Sequence, residues 1–261
     1  MLVETYASLP KFKFQSKRLV SNKAFKIQIA FNEHNEEFLE RIVQLLGIFL
    51  ILFCSCLFNI KSISQFLESS VSNVKFFQPS PEQYFLLSLQ ISFYTAFFLE
   101  SPFLWGQLIY YFLPAFKLKE RFPIFYLVFT SLLLFFLGTF YSYYFLVPTA
   151  SSFFLMYTVD ILEPLWSFKD YIDFVLVLYL SSIYIFQIPI LQVVFGGLGI
   201  FSTKLFYNFL KYIILISTIL GAIFTPSTDP LTQSIFSIAI FVLYILGIAI
   251  LFSFEKYKFI Y

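Results

Sequence analysis

Long apolar stretches follow one another along almost the whole chain, separated by short polar segments. A helix needs about 20 apolar residues to cross a hydrocarbon core of roughly 30 Å. Only helices and closed barrels satisfy every backbone hydrogen bond in lipid, and the alternating pattern of a membrane barrel is absent here. The pattern therefore predicts an all-α membrane protein without a separate soluble domain. Its six transmembrane helices are predicted at residues 42–58, 82–113, 122–147, 171–195, 212–224 and 234–252.

Proline and glycine positions predict where individual spans bend or end. Pro102 predicts a kink in the second span. The third span is expected to stop near Pro148, and residues 149–170 are expected to form a loop. The pair Gly196-Gly197 predicts the end of the fourth span.

Two segments depart from the simple pattern of full-length spans. The polar segment 59–81 is predicted to contain a short amphipathic helix with Ile63, Phe66 and Leu67 on one face. The fifth span, residues 212–224, reaches only about 20 Å at 1.5 Å per residue. Such a short span predicts local thinning of the bilayer.

Composition and charge support a membrane protein and predict its orientation. Hydrophobic residues make up 59% of the chain and charged residues 12%, which is too little charge for a soluble protein. With six spans, every Lys and Arg except Lys61, Lys75 and Lys169 falls on the side that carries both termini. The positive-inside rule then places both termini on the cytoplasmic or stromal side.

The ends of the chain differ in composition from its centre. Residues 1–30 are basic, contain one acidic residue and lack the apolar core of a secretory signal. This composition is typical of a basic tail that lies on anionic lipid, and it is also compatible with a transit peptide. The predicted organisation is an N-terminal extension over 1–30, a six-span domain over 31–254 and a tail over 255–261.

An acidic motif precedes the first span. On a helix, Glu33, Glu36, Glu37 and Glu40 lie three or four residues apart and form one stripe. Carboxylates at a membrane surface attract cations, and the planar guanidinium of arginine matches them best. The alternative is a solvated helix face with an ordinary Glu37–Arg41 ion pair, which the segment alone favours.

A second carboxylate, Glu120, lies in the connection between spans two and three. Its neighbours Lys117, Lys119 and Arg121 are basic, so Glu120 either binds a cationic ligand or balances the charge of a loop. Taken singly, this motif also favours the structural interpretation.

Polar groups within the spans provide a third set of candidates. Glu100 is ionisable, and such residues inside a membrane are costly and usually functional. Gln187 either joins helices through hydrogen bonds or makes a functional contact. Asp229, in the turn between spans five and six, is typical of a helix cap.

Enzymatic chemistry has little support in the sequence. The chain has one His, and no Gly-rich phosphate loop, Cys-x-x-Cys pair or cluster with metal-ligand spacing. We therefore expect no catalytic residue, no metal, no cofactor and no nucleic-acid partner.

Five motifs, in this order along residues 31–254, resemble the TatC family of receptor subunits of the twin-arginine, Sec-independent protein translocase. Three departures stand out: one arginine of the family's first motif is missing, Ala115 replaces a loop glycine, and Gln187 replaces a frequent glutamate, as in plastid and cyanobacterial members. The motifs are His34-x-x-Glu37 with Arg41, Pro114 with Glu120-Arg121, Gly138 with Tyr144 and Pro148, Phe186-Gln187-x-Pro189, and Thr225-Pro226 with Asp229 and Gln233.

The resemblance implies a concave, glove-like bundle with a signal-peptide site on the synthesis side. Glu37 and Glu120 would bind the two guanidinium groups of a twin-arginine signal peptide. The other residues of the implied site are His34, Arg41, Tyr111, Phe116 and Arg121.

The resemblance also implies partners, an energy source and a location. Single-span TatA- and TatB-like subunits would dock near Gln187, Pro189, Asp229 and Gln233, and other copies of the chain and membrane lipid would be further partners. Transport of folded proteins would be driven by the proton gradient. A plastid thylakoid membrane is expected, with the mitochondrial inner membrane and the bacterial plasma membrane as alternatives.

Two other functions remain open from the residues themselves. In a small-solute or ion transporter, Glu100 and Gln187 would line a pathway, although no internal repeat is visible. In a structural subunit of an organellar membrane complex, the chain would have no site of its own.

Overall fold

The computed structural model describes residues 11–71, 74–78, 80–112, 122–158, 165–225 and 229–260. Within them, helices predominate and two short strands form one pair. The helices are α1 (Lys11–Phe58), α2 (Ile60–Glu68), α3 (Pro81–Phe112), α4 (Phe122–Tyr141), α5 (Val147–Thr158), α6 (Phe168–Phe186), α7 (Ile188–Gly197), α8 (Thr203–Phe224) and α9 (Pro230–Ile260). A π-helical turn (Ser142–Leu146) joins α4 to α5, and the strands are β1 (Lys75–Phe77) and β2 (Leu165–Ser167).

The predicted six-helix membrane architecture is confirmed. Among the described residues, five helical stretches are long and apolar enough to span a membrane, and the sixth span is α3. Helix α3 has 32 residues and reaches about 48 Å. Its polar residues lower its hydropathy. The five stretches are residues 35–58, 125–156, 168–197, 203–224 and 230–253.

The end predicted for the third span at Pro148 is wrong. Helix α4 continues through the π-helical turn Ser142–Leu146 into α5, which ends at Thr158. A proline ring normally clashes with the carbonyl group four residues earlier, here that of Tyr144. That carbonyl lies within the wider π-helical turn, so the helix accommodates the proline. Residues 149–158 are therefore helical, whereas a loop was expected.

The fourth span consists of two helices joined at Gln187. Helix α6 ends at Phe186 and α7 begins at Ile188, with Pro189 in its first turn. The predicted end at Gly196-Gly197 is confirmed, and Gly199 follows with a φ of 75°. This span forms the centre of the core, since 61% of its apolar window is buried against 17% for α8.

The fifth span is longer than the sequence pattern predicts. Helix α8 has 22 residues, or about 33 Å, because it begins at Thr203 rather than near residue 212. Its first turns include Lys211, whose Nζ lies 4.8 Å from the centre of the Tyr212 ring. The amphipathic stem of a lysine allows a helix to extend past the apolar core in this way. The argument for bilayer thinning from a 20 Å span therefore does not hold.

Contacts between the spans fix their relative directions. Helix α3 runs parallel to α6, since Gln90 bonds Asp173 and Phe97 contacts Tyr184 further along. Helix α4 runs antiparallel to α6, because Ser131 contacts Gln187 whereas the later Gly138 accepts a bond from the earlier Ser182. Helices α7 and α9 are parallel, while α8 and α9 are antiparallel. Spans two to six therefore alternate in direction.

Helix α2 and strands β1 and β2 pack at the end of the bundle at which α6 begins. Strands β1 and β2 pair in parallel, with Phe76 opposite Trp166. The predicted amphipathic helix is confirmed as α2, and the Tyr171 hydroxyl donates a 2.8 Å hydrogen bond to the Leu67 carbonyl. Phe66 stacks on Tyr143, although half of its surface is exposed.

The chain divides into two units, residues 1–47 and residues 48–261. The first contains most of α1, and the second contains the end of α1 and all the other elements. Helix α1 runs through residue 30 and α9 runs through residue 254. The domain boundaries proposed at these two residues stay predictions, as does the kink at Pro102, which lies inside α3.

Candidate functional site

The first predicted carboxylate lies on helix α1 beside an arginine. The Arg41 guanidinium donates a 2.6 Å hydrogen bond from Nη2 to Oε1 of Glu37, one helical turn away. About a third of the Glu37 side chain is exposed, and the Arg41 side chain is largely covered. The carboxylate is thus accessible and already binds one guanidinium group of its own chain.

The second part of the predicted site borders the end of α3. Tyr111 lies in the last turn of this helix, half-buried, with its ring centre 5.5 Å from that of Phe112. The segment with Phe116, Glu120 and Arg121 lies outside the described residues, as does the side chain of His34.

The alternating directions of the spans group the helix ends. The C-terminal ends of α3, α7 and α9 share one end of the bundle, together with the start of α4. Glu120 follows α3 and precedes α4 in the chain.

Gln187 is fully buried and its amide is bonded within the bundle. The Ser131 hydroxyl donates to its Oε1 at 2.8 Å, and its Nε2 donates to the Ser131 carbonyl at 3.1 Å. Neighbouring Pro189 is buried against α9 at Gly247. Both residues lie between helices of this chain.

Asp229 and Gln233 lie at the connection between α8 and α9. Oδ2 of Asp229 accepts a 2.8 Å hydrogen bond from the Thr232 amide, so the predicted helix cap is present. The Gln233 amide donates to the Thr218 carbonyl on α8 at 3.2 Å. Gly247, the residue of α9 that Pro189 contacts, lies about 21 Å beyond Gln233 along that helix, so the structure separates the four proposed docking residues into two pairs.

Two buried polar residues in the core were not predicted. Ser131, the partner of Gln187, is a single serine in an apolar run, and nothing in that pattern marks it. Gln192 is 4% exposed and lies against the backbone of Gly247, where a Cβ atom would come within 1.7 Å of its Oε1. A glycine in an apolar span hints at such close helix packing.

Among the described side chains, no group of three or more His, Cys, Asp or Glu residues comes together to hold a metal ion. What the structure offers is a multi-pass bundle with buried polar joints and with carboxylates near its helix ends. This arrangement defines a multi-pass integral membrane protein.

Comparisons with known proteins give the family. The sequence profile of TatC, the Sec-independent protein translocase protein, matches residues 33–239, and the chain belongs to this family. It is 47% identical over 246 residues to the tatC-like protein ycf43 of Trieres chinensis, covering 91% of this chain and 94% of the relative. It is 40% identical over 222 residues to the Sec-independent protein translocase protein TatC of Synechocystis, covering 85% and 87%.

The fold matches a solved member of the family. The crystal structure of the twin arginine translocase receptor TatC in DDM superposes with a TM-score of 0.73 at 28% identity, covering 83% of this chain and 98% of that one. Cyanobacterial and chloroplastic relatives and the apolar helices make this chain a multi-pass protein of a plastid or thylakoid membrane.

Proposed function

We propose that this chain is the signal-peptide receptor of a Sec-independent translocase, and that Glu37 and Glu120 bind the two arginines of a twin-arginine signal peptide. Membership of the TatC family carries the proposal. The observation on this chain that supports the site is the 2.6 Å contact between Glu37 and a guanidinium group.

The physical basis is the match between guanidinium and carboxylate at a membrane surface. Two parallel N–H···O bonds fix an arginine in one orientation, which the ammonium group of lysine cannot reproduce. At a low-dielectric interface such a pair is stronger than one in bulk water. A twin-lysine peptide should therefore bind at least tenfold more weakly, a difference of about 1.4 kcal/mol.

Arg41 has a defined part in this site. In the free receptor it neutralises Glu37 and holds the carboxylate in place. An arriving arginine shares or displaces that contact, so binding exchanges one ion pair for another. Arg121, beside Glu120 in the sequence, is proposed to have the same part, while His34, Tyr111 and Phe116 line the approach of the peptide.

The test is binding of a labelled twin-arginine peptide to the purified receptor in nanodiscs. Glu37→Gln and Glu120→Gln should each weaken binding about tenfold or more. Glu36→Gln is the matched control, because Glu36 is the exposed neighbour of Glu37 on the same helix. Unchanged binding by both site variants, or an equal loss in the control, would contradict the assignment.

The family works in a Sec-independent translocase. The finer proposal is that single-span TatA- and TatB-like subunits dock near α6, α8 and α9 and that the proton gradient drives transport. Since Gln187 and Gln233 are bonded within the bundle, a docking helix would have to replace those internal hydrogen bonds. Disulfide crosslinking from cysteines on the exposed face of α8, for example at Ile219, tests this contact.

A further inference from the structure

Glu100 is a buried carboxyl group inside a membrane span. It lies on α3, is 5% exposed and has neither a hydrogen bond nor an ion pair in the described part of the chain. The hydroxyl of its neighbour Ser101 donates to the Phe98 carbonyl at 2.8 Å. An ionisable side chain without a partner is unusual at this depth, because its charged form is costly in lipid.

The position of Glu100 along α3 places it within the hydrocarbon core. It lies about 28 Å from the start of the helix at Pro81 and about 18 Å from its end at Phe112. Helix α3 is about 48 Å long and the core is about 30 Å thick. Whichever 30 Å of the helix lies in lipid, Glu100 is inside it.

Among the described residues, one titratable group lies close to Glu100, and lipid-facing side chains flank it on α3. Tyr184 of α6 interacts electrostatically with the carboxyl group, and its ring lies 6.1 Å from that of Phe97. On the other side, the adjacent Leu99 and Phe103 are 42% and 54% exposed. Glu100 therefore lies at the edge between the packed face and the lipid-facing face of α3.

In the described part of the chain, no cationic side chain forms an ion pair with Glu100. The Gln90–Asp173 hydrogen bond lies at the start of the contact between α3 and α6, about 15 Å before Glu100 along α3. The charged residues of α2 and of the first turns of α6 lie near this hydrogen bond. On α4, the Tyr141 hydroxyl donates to the Ile235 carbonyl. The other described titratable groups on elements packed against α3 are Lys61 and Glu68 of α2, Tyr126 of α4, Lys169, Asp170, Tyr171, Asp173 and Tyr179 of α6, and Glu36, Glu37, Glu40, Arg41, Cys54 and Cys56 of α1.

We propose that Glu100 is a proton-binding site within the membrane, holding a neutral carboxylic acid that is reached from lipid rather than from water. Three observations carry this: its burial, its depth and the lack of a counter-ion among the described residues. Tyr184 is uncharged, so it does not oppose a neutral carboxylic acid at position 100. It would repel a carboxylate there only if the tyrosine were ionised as well. In a gradient-driven translocase, such a group provides one proton-binding step inside the bilayer.

A hydrophobic carbodiimide detects a neutral acid in lipid. The acid transfers its proton to a carbodiimide nitrogen, and the carboxylate oxygen bonds to the central carbon to give an O-acylisourea. The acyl group then shifts from oxygen to nitrogen, breaking the C–O bond to the isourea and leaving a stable N-acylurea. The step adds one carbodiimide to the side chain and needs no other reactant.

The experiment uses the full chain in liposomes at pH 7.5, treated with dicyclohexylcarbodiimide and mapped by peptide mass spectrometry. We expect the adduct on Glu100 and its loss in Glu100→Gln. Glu82 is the matched control, because it lies at the exposed start of α3 rather than buried in the middle of the helix, and it should stay unlabelled. The water-soluble reagent EDC with glycine ethyl ester, applied at pH 5, should show the reverse preference.

The proposal is overturned if Glu100 stays unlabelled by dicyclohexylcarbodiimide, or if EDC labels it as readily as Glu82. Mapping the adduct in the unsubstituted protein decides the question even if Glu100→Gln folds poorly. The experiment measures the mass of a covalent adduct on one residue and does not measure peptide binding. The proposed signal-peptide site is therefore tested separately, by the binding assay described above.

Discussion

The buried amide of Gln187 shows how a single polar residue can join two transmembrane helices. Both of its polar atoms are bonded to Ser131, one to the hydroxyl and one to the backbone carbonyl. Lipid offers no alternative hydrogen-bond partner, so the pair holds α4 against the break between α6 and α7. The polar residue that the sequence marks as functional is thus at least a structural joint.

Removing one partner of this joint should cost stability. Ser131→Ala leaves Oε1 of Gln187 without its donor while the bond to the Ser131 carbonyl remains, and we expect a loss of about 0.5–2 kcal/mol. The double variant Ser131→Ala/Gln187→Leu should recover part of that loss. Thermal melting in detergent measures it, with Ser234→Ala as control because that exposed hydroxyl bonds only its own helix. An equal loss in the control and the single variant would contradict the joint.

At the scale of elements, glycine sets the distance between α8 and α9. A Cβ atom on Gly221 would lie 2.7 Å from the Ser237 hydroxyl oxygen and 2.9 Å from the Gln233 carbonyl oxygen. A Cβ atom on Gly106 of α3 would meet nothing within 4 Å. Two helical glycines of the same chain therefore have opposite packing environments.

These environments predict that replacing glycine by alanine has opposite effects on stability at the two positions. Gly221→Ala should destabilise the protein by about 1–3 kcal/mol, because the backbone of α9 must move away. Gly106→Ala should be neutral or stabilise by up to about 1 kcal/mol through helix propensity. Melting temperatures of the two variants in the same detergent check this. A stabilising Gly221→Ala would show that the close contact between α8 and α9 is not real.

The lengths of the apolar runs predicted which segments form helices, but they predicted the ends of those helices less accurately. Five apolar runs and α3 follow directly from length and composition, since lipid leaves few alternatives. The continuation through Pro148 depends on a π-helical turn, and the early start of α8 depends on lysine and asparagine being tolerated at the membrane edge. Neither effect is visible in a hydropathy window, because both depend on local hydrogen bonding and side-chain reach.

At the scale of the whole molecule, the alternation of span directions constrains the topology. Spans two, four and six run in one direction and spans three and five in the other. The basic residues concentrate on the side with the termini. Together they predict one orientation in the membrane.

A reporter fused after Tyr261 tests that orientation. We expect it to remain on the synthesis side, because the positive-inside rule retains the basic segments there. A second fusion after Ser70, in the connection between α2 and β1, should be translocated. Finding the first reporter across the membrane would reverse the topology and place the proposed site on the wrong side.

The candidate site could be predicted only in part. Its residues came from motifs that are individually weak, and the order of those motifs pointed to the family that the comparisons establish. Their mutual geometry could not be derived, because Glu37 and Glu120 are far apart in sequence and no pattern in the chain reports the distance between them.

The most direct test of the receptor proposal is photocrosslinking from position 120 to a twin-arginine precursor, with a photoreactive residue at position 37 in a parallel sample. The account predicts that both positions crosslink to the segment around the paired arginines, and that replacing these arginines by lysines reduces both adducts. Crosslinking from only one of the two positions, or adducts that are equally strong with the twin-lysine precursor, would contradict it.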